Sequence, residues 1–289
     1  MSFTATPSIA FIIMVRNEEL NLVACLESLR SLNAEIYVID SGSTDRSLAI
    51  AKLYGATVLE HPFHNYASQF NWALDHVPTM APWIFRLDAD EFLTAELRAE
   101  IAEKLSRLGE DVAGVLLKRR YCFLGRWIRH GGMYPVWHIR LFRRGAGRCE
   151  ERWMDEHIVV GEGETVKFDF DFVDNNRKGI DLWTEKHNLY SSREVLDLER
   201  SAKSEAQSHS NLPAQARRKR WGKERIYAKA PRFFRAFAYW FVRYFLLLGF
   251  LDGREGLIFH FLQGFWYRFL VDAKLYESER LDARKAAMK

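Results

Sequence analysis

The chain is poor in the residues that staple, break or span. Among 289 residues only Cys25, Cys122 and Cys149 are cysteines. They form no C-x-x-C pair and no even set, so a disulfide framework is excluded and reduced thiols are expected. Seventeen glycines and seven prolines exclude collagen-like and low-complexity chains. An apolar share of 48% excludes disorder and is enough to bury a sizeable core. Long apolar runs are also missing. The N-terminus has no basic n-region, and its apolar run Ile9–Val15 is too short for a signal-peptide core, so it reads as a buried strand. Arg235 and Arg243 interrupt Phe233–Leu251, and Arg268 interrupts Leu257–Val271. The longest charge-free piece there, Leu257–Tyr267, falls well short of the roughly 20 residues of a transmembrane helix. The chain is therefore expected to stay on the side of the membrane where it is made. The glycine-rich phosphate loops, the H-E-x-x-H zinc motif and the G-x-S-x-G elbow are all absent.

What is present is unevenly distributed. Residues 1–110 carry 8 Lys/Arg against 15 Asp/Glu, and residues 215–289 carry 17 against 7, beneath a net charge of only +4. Unequal thirds point to different partners for different parts of the chain.

The first third alternates strand and helix signals. Strands are expected at Ile9–Val15, Glu35–Ile39, Thr57–Glu60 and Trp83–Leu87. Helices are expected at Asn17–Leu32, Arg46–Tyr54, Ser68–His76 and Thr94–Leu108, the last capped by Thr94. This order predicts βαβ units on a parallel sheet, with ligands at the carboxyl ends of the strands. Asp40, Asp88 and Asp90 fall at such ends. Strands are further expected at Gly114–Lys118, Ile139–Phe142 and Val166–Phe172, a helix at Lys186–Arg200, and a polar linker at Ser201–Pro213.

Asp88-Ala-Asp90-Glu91 is the sharpest local signal. Two carboxylates two residues apart, where a strand enters a turn, can converge on one point. Oxygen-only ligands suit Mg²⁺ or Mn²⁺ held together with substrate phosphates. The alternative is a solvated acidic turn ahead of a helix N-terminus.

Two other segments run from a strand into a helix: Phe11-Ile-Ile-Met-Val-Arg-Asn17-Glu18-Glu19 and Val38-Ile-Asp40-Ser41-Gly42-Ser43-Thr44-Asp45. Taken in order with Asp88–Glu91, they resemble the nucleotide-sugar domain of family 2 glycosyltransferases, of the inverting GT-A type. The resemblance implies an α/β GT-A fold: a Rossmann-like mixed sheet with flanking helices, followed by C-terminal amphipathic helices. It implies that Asp40 accepts a hydrogen bond from uracil of a UDP-sugar. Arg16, Asn17 and Glu18 would frame the nucleoside, with Ser41 beside them. Gln69 and Asn71 are the polar candidates over base and diphosphate. Asp88 would touch ribose or metal, and Asp90 would ligate the Mg²⁺ or Mn²⁺. For Asn17 and Ser41, turn chemistry and helix capping are the competing roles.

Inverting transfer needs a base for the acceptor hydroxyl. The run Trp153-Met-Asp155-Glu156-His157 is the candidate, with Glu156 first and Asp155 second. His157, and His187 in the run Glu185–Tyr190, are candidates on the acceptor or phosphate side. The nearest resemblance is to a subgroup related to bacterial lipopolysaccharide-core β-glucosyltransferases. Relatives commonly carry His-Glu at the base position, whereas this chain has Asp155-Glu156-His157, which leaves the choice of base open.

The resemblance implies hexose transfer to a lipid-linked saccharide in cell-envelope glycan synthesis. A nonenzymatic nucleotide-sugar or membrane-surface scaffold is the alternative. The expected organisation is a catalytic domain over 1–205 (donor half 1–110, acceptor half 111–205) and a basic helical module over 206–289. In that module Arg225, Lys229, Arg232 and Arg235 form one helical stripe beside Phe233, Phe234, Phe237 and Trp240. Such a helix suits the headgroup plane of an anionic membrane, engaged through 215–271. The expected location is peripheral, at the inner face of the cytoplasmic membrane. Docking of the aromatic face on the catalytic domain competes with this, and no nucleic-acid partner is expected.

Overall fold

The first strand, β1 (Ile9–Val15), is apolar at every residue because both of its faces are covered. Ile9, Phe11, Ile13 and Val15 enter one core with Leu22, Leu26, Phe85, Leu97 and Ile101. Ala10 and Ile12 enter a second core with Ile39, Phe70, Ala73 and Phe142. The computed structural model describes residues 9–150, 157–201 and 230–287. It comprises two units: Met1–Gly125 with Pro135–Arg177, and Arg126–Tyr134 with Lys178–Lys289.

In the first unit, β2 (Ala34–Asp40), β3 (Thr57–Glu60) and β4 (Trp83–Asp88) run parallel to β1. The connections carry α1 (Leu22–Glu27), α2 (Ser47–Leu53) and α3 (Tyr66–His76). The later elements are β5 (Glu91–Leu93), α4 (Ala95–Lys104), β6 (Val112–Phe123), β7 (Trp137–Arg143), β8 (Gly147–Cys149), β9 (Ile158–Val160) and β10 (Glu164–Asn175). The sheet order is β3-β2-β1-β4-β7-β6-β10-β5. Strand β7 is antiparallel to both β4 and β6, and β10 is parallel to β6. The sheet is thus mixed, as the resemblance implies, and its first four strands are parallel, as the strand–helix alternation of the first third predicts.

The helix expected over Asn17–Leu32 is shorter. Asn17 takes φ 54°, a left-handed conformation that asparagine tolerates better than most residues. This holds the next residues in a turn, and α1 starts only at Leu22. Thr94 caps α4 as expected, accepting from the Leu97 N–H. At α3, Asn65 and Ser68 form a reciprocal capping box.

Asn71 fixes α3 to the β8 region. Its Nδ2 donates to the Cys149 carbonyl and its Oδ1 accepts the Cys149 N–H, both at 2.9 Å. Both groups are buried. Asn71→Ala strands a buried N–H and a buried C=O, so the urea midpoint should drop by the equivalent of about 3 kcal/mol. A drop below roughly 0.5 kcal/mol, the size of an ordinary surface change, would refute the clamp.

The second unit is helical. It holds α5 (Gly179–Ser201), α6 (Phe234–Phe241), α7 (Gly253–Phe259) and α8 (Tyr267–Ala287). The boundary expected at 205/206 therefore moves to 177/178. The cause is burial along α5. Val195 packs with Tyr267 and Val271, Glu194 accepts from the Tyr267 hydroxyl and from Arg268, and Lys274 donates to Asn188 and Ser192. The linker expected over Ser201–Pro213 lies, beyond Ser201, outside the described residues.

The basic stripe expected on one helix face is not all at the surface. Arg235 is buried and pairs with Asp272, and Arg232 pairs with Glu279. Arg243 is also buried and donates to the Gly131 carbonyl at 2.8 Å. Arg225 and Lys229 lie outside the described residues. Arg235 and Arg243 therefore face inward, because acceptors on α8 and on the 126–134 segment reach them. Among the described residues, no single helix is long and apolar enough to cross a membrane.

Candidate active site

Parallel register brings the acidic strand ends together. Asp40 lies opposite Val15, and Asp88 lies opposite Met14, at the carboxyl end of β1. The turn after each strand then braces the next. Asn17 Oδ1 accepts from the Thr44 N–H at 2.8 Å, and the Asn17 N–H donates to Ser43 Oγ at 2.9 Å. The Glu18 N–H donates to Ser47 Oγ at 2.7 Å, and the Glu19 N–H donates to Asp45 at 3.1 Å. Glu18 accepts from Asn21, and Asn21 in turn accepts from the Arg177 N–H just beyond β10. Arg16 is exposed at the rim.

Asp40 is almost fully buried. Its Oδ2 accepts from the N–H groups of Gly42 and Ser43 at 2.9 and 3.0 Å, and its Oδ1 accepts from the Ser43 hydroxyl at 2.5 Å. Gly42 sits at φ 86°, which completes this tight turn. Ser41 Oγ accepts from Gln69 Nε2 at 3.0 Å, and Gln69 Oε1 lies 2.7 Å from His61 Nδ1. Gln69 is therefore a buried support behind Ser41. The structure gives Asn71 the clamp on Cys149 instead of an open position over a ligand.

Asp88 and Asp90 are half-buried. Asp88 Oδ2 accepts from Arg140 Nη2 at 3.2 Å, and the same guanidinium pairs more closely with Glu91. The Asp88 N–H donates to Glu91 Oε2 at 3.0 Å. Asp90 Oδ2 accepts from Asn176 Nδ2 at 2.9 Å, and the Asp90 carbonyl accepts from the Asn175 N–H. The end of β10 thereby aims Asp90 and leaves its Oδ1 open.

Burial pushes the Glu91 carboxyl up, and the Arg140 charge opposes that shift. Burial disfavours the Arg140 cation, but Glu91 and Asp88 outweigh this and hold it protonated. Cys25 lies beneath the cluster, with Sγ 3.8 Å from the Asp88 carbonyl. Burial first, then Glu91, Asp90, Asp88 and Glu18, raises its thiol well above the usual range. Four carboxylates acting on one thiol mark where the turns after β1 and β4 converge.

The donor set fits a hard divalent cation. Among the described residues, no group of three or more His, Cys, Asp and Glu side chains forms a complete cage. A cation here would use Asp90 and Asp88 and take its other oxygens from phosphate and water, which is the ligand pattern of Mg²⁺.

The remaining candidates are dispersed. Asp155 and Glu156 lie outside the described residues. The ends of their segment are joined: the Glu150 N–H donates to the His157 carbonyl at 2.9 Å, and the His157 N–H donates to Glu150 Oε1 at 3.0 Å. The His157 ring stacks on His138 at 6.3 Å. His187 belongs to the helical unit and stacks on Trp183 at 3.5 Å. Burial pulls it down to about 4, so it is neutral at pH 7. Its Nδ1 contacts the Trp183 carbonyl at 2.7 Å, which makes Nδ1 the protonated nitrogen and leaves Nε2 an acceptor, unsuited to donate to phosphate.

Arg140 and Asn176 were not foreseen from the sequence. The available signals were an arginine between Ile139 and Leu141 inside an apolar strand, and the Asn175-Asn176 pair closing β10.

This arrangement has counterparts. The lipopolysaccharide core biosynthesis glycosyltransferase LpsC of Rhizobium meliloti (strain 1021) is 31% identical over 287 residues, covering 96% of this chain and 95% of that protein. An uncharacterised glycosyltransferase of Rickettsia conorii is 34% identical over 101 residues, 35% of each chain. The mannosyltransferase PcManGT of Pyrobaculum calidifontis, solved in complex with GDP-Man and Mn²⁺, superposes with a TM-score of 0.55 at 13% identity, over 94% of this chain and 87% of that one. At that identity the likeness shows the GT-A fold alone. The sequence profile described as glycosyl transferase family 2 matches residues 10–158, the stretch that carries the acidic strand ends, and the chain therefore belongs to glycosyl transferase family 2.

Proposed function

We propose that this protein transfers a hexosyl group, with inversion, from a UDP-sugar to a hydroxyl of a lipid-linked saccharide in cell-envelope glycan synthesis. The observation that carries this reading is the placement of Asp40 and Asp88 at the carboxyl ends of β2 and β4, the two strands that flank β1, with Asp90 in the turn just after β4. The LpsC relative supports the lipopolysaccharide core as the pathway. The mannosyltransferase crystallised with Mn²⁺ supports a divalent cation beside a nucleotide sugar.

In this reading Asp40 accepts the uracil imide N–H on a remaining lone pair, while its other lone pairs hold the turn. Arg16, Asn17, Glu18 and Ser41 frame the nucleoside. Asp90 and Asp88 hold Mg²⁺ or Mn²⁺, which when bound neutralises the charge of the departing diphosphate. Asn176 keeps Asp90 aimed. Glu156, with Asp155 as the second candidate, takes the acceptor proton. The new C–O bond forms on the anomeric carbon as its bond to the diphosphate oxygen breaks, and UDP carries away the electron pair. The helical unit would hold the enzyme at the inner face of the cytoplasmic membrane, where its acceptor lies.

UDP release with a lipid-linked saccharide tests the enzyme against the binding-scaffold alternative, and no release with any hexose donor overturns the proposal. Glu156→Gln should lower kcat by about 10³-fold and leave the donor-induced shift in Tm intact. If Asp155→Asn has that effect and Glu156→Gln does not, Asp155 is the base.

A further inference from the structure

Between Phe233 and Phe269 the helical unit has its polarity turned inside out. Every exposed residue from Phe233 to Phe269 is apolar except Arg254. Phe234, Phe241, Phe245, Leu246, Leu248 and Leu251 are each more than two-fifths exposed. On a water-facing helix, arginines reach outward and phenylalanines point inward. Here Arg235, Arg243, Asp252 and Asp272 are the buried groups.

The break in the helices is also closed within the unit. After α6, wider π-type turns continue over Val242–Leu246, and the chain then bends by 71° before Gly249–Lys285. The Leu247 carbonyl accepts from the Gly131 N–H at 2.8 Å, the Leu247 N–H donates to Val242, and the Leu248 N–H donates to Phe245. Arg243 donates to the Gly131 carbonyl, and Asp252 accepts from the His130 N–H at 2.9 Å. Gly249 is required at the bend: a Cβ there would lie 2.7 Å from the His260 ring and 2.8 Å from the Arg243 carbonyl. Irregular backbone is tolerated at membrane depth only when its polar groups are satisfied inside the protein.

Resting on the reading that this unit meets a membrane, we infer that it enters the hydrocarbon of one leaflet as a re-entrant helical hairpin led by Phe241–Leu251. It would be held by apolar burial and not by attraction of its arginines to anionic headgroups. The bend argues for re-entry. Phe234–Leu246 rises about 20 Å, short of the roughly 30 Å hydrocarbon core. A protein partner fits the face poorly, because protein interfaces carry about one hydrogen bond per 100–200 Å², and this face offers almost no donor or acceptor beyond Arg254.

Flotation of the full chain with vesicles tests this. On pure phosphatidylcholine vesicles the protein should float, and the bound fraction should change less than about twofold when salt is raised to about 1 M, where the Debye length is near 3 Å. Leu246→Asp should weaken flotation roughly tenfold or more. Leu53→Asp, at an exposed leucine on α2, should not, with unchanged circular-dichroism melting for both variants. Binding confined to vesicles containing phosphatidylglycerol, and lost at high salt, would overturn insertion and keep the membrane reading. Failure to float with either vesicle would overturn both.

Discussion

Asp90→Ala should lower kcat/KM by about 10³-fold or more, near 4 kcal/mol of transition-state stabilisation, with no loss of fold. The side chain is half-buried at the start of the turn into β5, and its carbonyl, not its carboxylate, joins the Asn175 N–H. Removing the carboxylate therefore leaves that backbone bond in place. What disappears is the carboxylate that Asn176 aims. Asn176→Ala should reproduce a weaker form of the defect, roughly tenfold to a hundredfold, as expected when the partner of a metal ligand is lost. Raising Mn²⁺ should partly rescue Asn176→Ala and not Asp90→Ala. Near-normal turnover of Asp90→Ala across a metal titration would remove Asp90 from the cation site.

Arg140→Met should be the most destabilising single change in the first unit, by about 3–5 kcal/mol in urea unfolding. Arg140 is buried between Asp88 and Glu91 and lies over the Phe172 ring at 5.2 Å. Its removal strands Glu91, itself almost fully buried. Burial raises the folded-state pKa of Glu91, and without Arg140 only the Asp88 N–H still opposes that. Stability is then fully present below the unfolded pKa of about 4.3 and is lost as pH rises through the higher folded value. The deficit of Arg140→Met should accordingly be larger at high pH than at low pH. Adding Glu91→Gln should recover a substantial part of it. Equal losses at both pH values, or no recovery in the double variant, would show that Arg140 acts by packing alone.

The parallel half of the sheet was legible because its determinants are local. A strand buried on both faces is an uninterrupted apolar run, and its polar terminator marks the ligand-binding edge, so Asp40 and Asp88 could be placed from runs and turns. Partners far along the chain were not legible. Arg140 meets Glu91 and Asp88 across 49 and 52 residues, and Asn176 meets Asp90 across 86. No window of sequence contains such pairs.

The same blindness misplaced the basic stripe. Helical spacing puts Arg232 and Arg235 on one face, but Asp272 draws Arg235 inward while Arg232 stays exposed beside Glu279. The domain boundary was drawn at a polar stretch, whereas α5 is tied to α8 by Asn188, Ser192, Glu194 and Val195, scattered positions in an otherwise ordinary amphipathic helix.

The braces between the turns after β1 and β2 bear on how this sequence can vary. Asn17 needs Thr44 and Ser43, Glu18 needs Ser47, and Ser43 also holds Asp40. The side chains of Asn17, Ser43 and Ser47 each complete a backbone N–H across the two turns, so substitutions at these positions are energetically coupled and not additive. A drifting lineage must replace them together or keep them all. The two short motifs are therefore a single epistatic unit, even though 26 to 29 residues separate the partners.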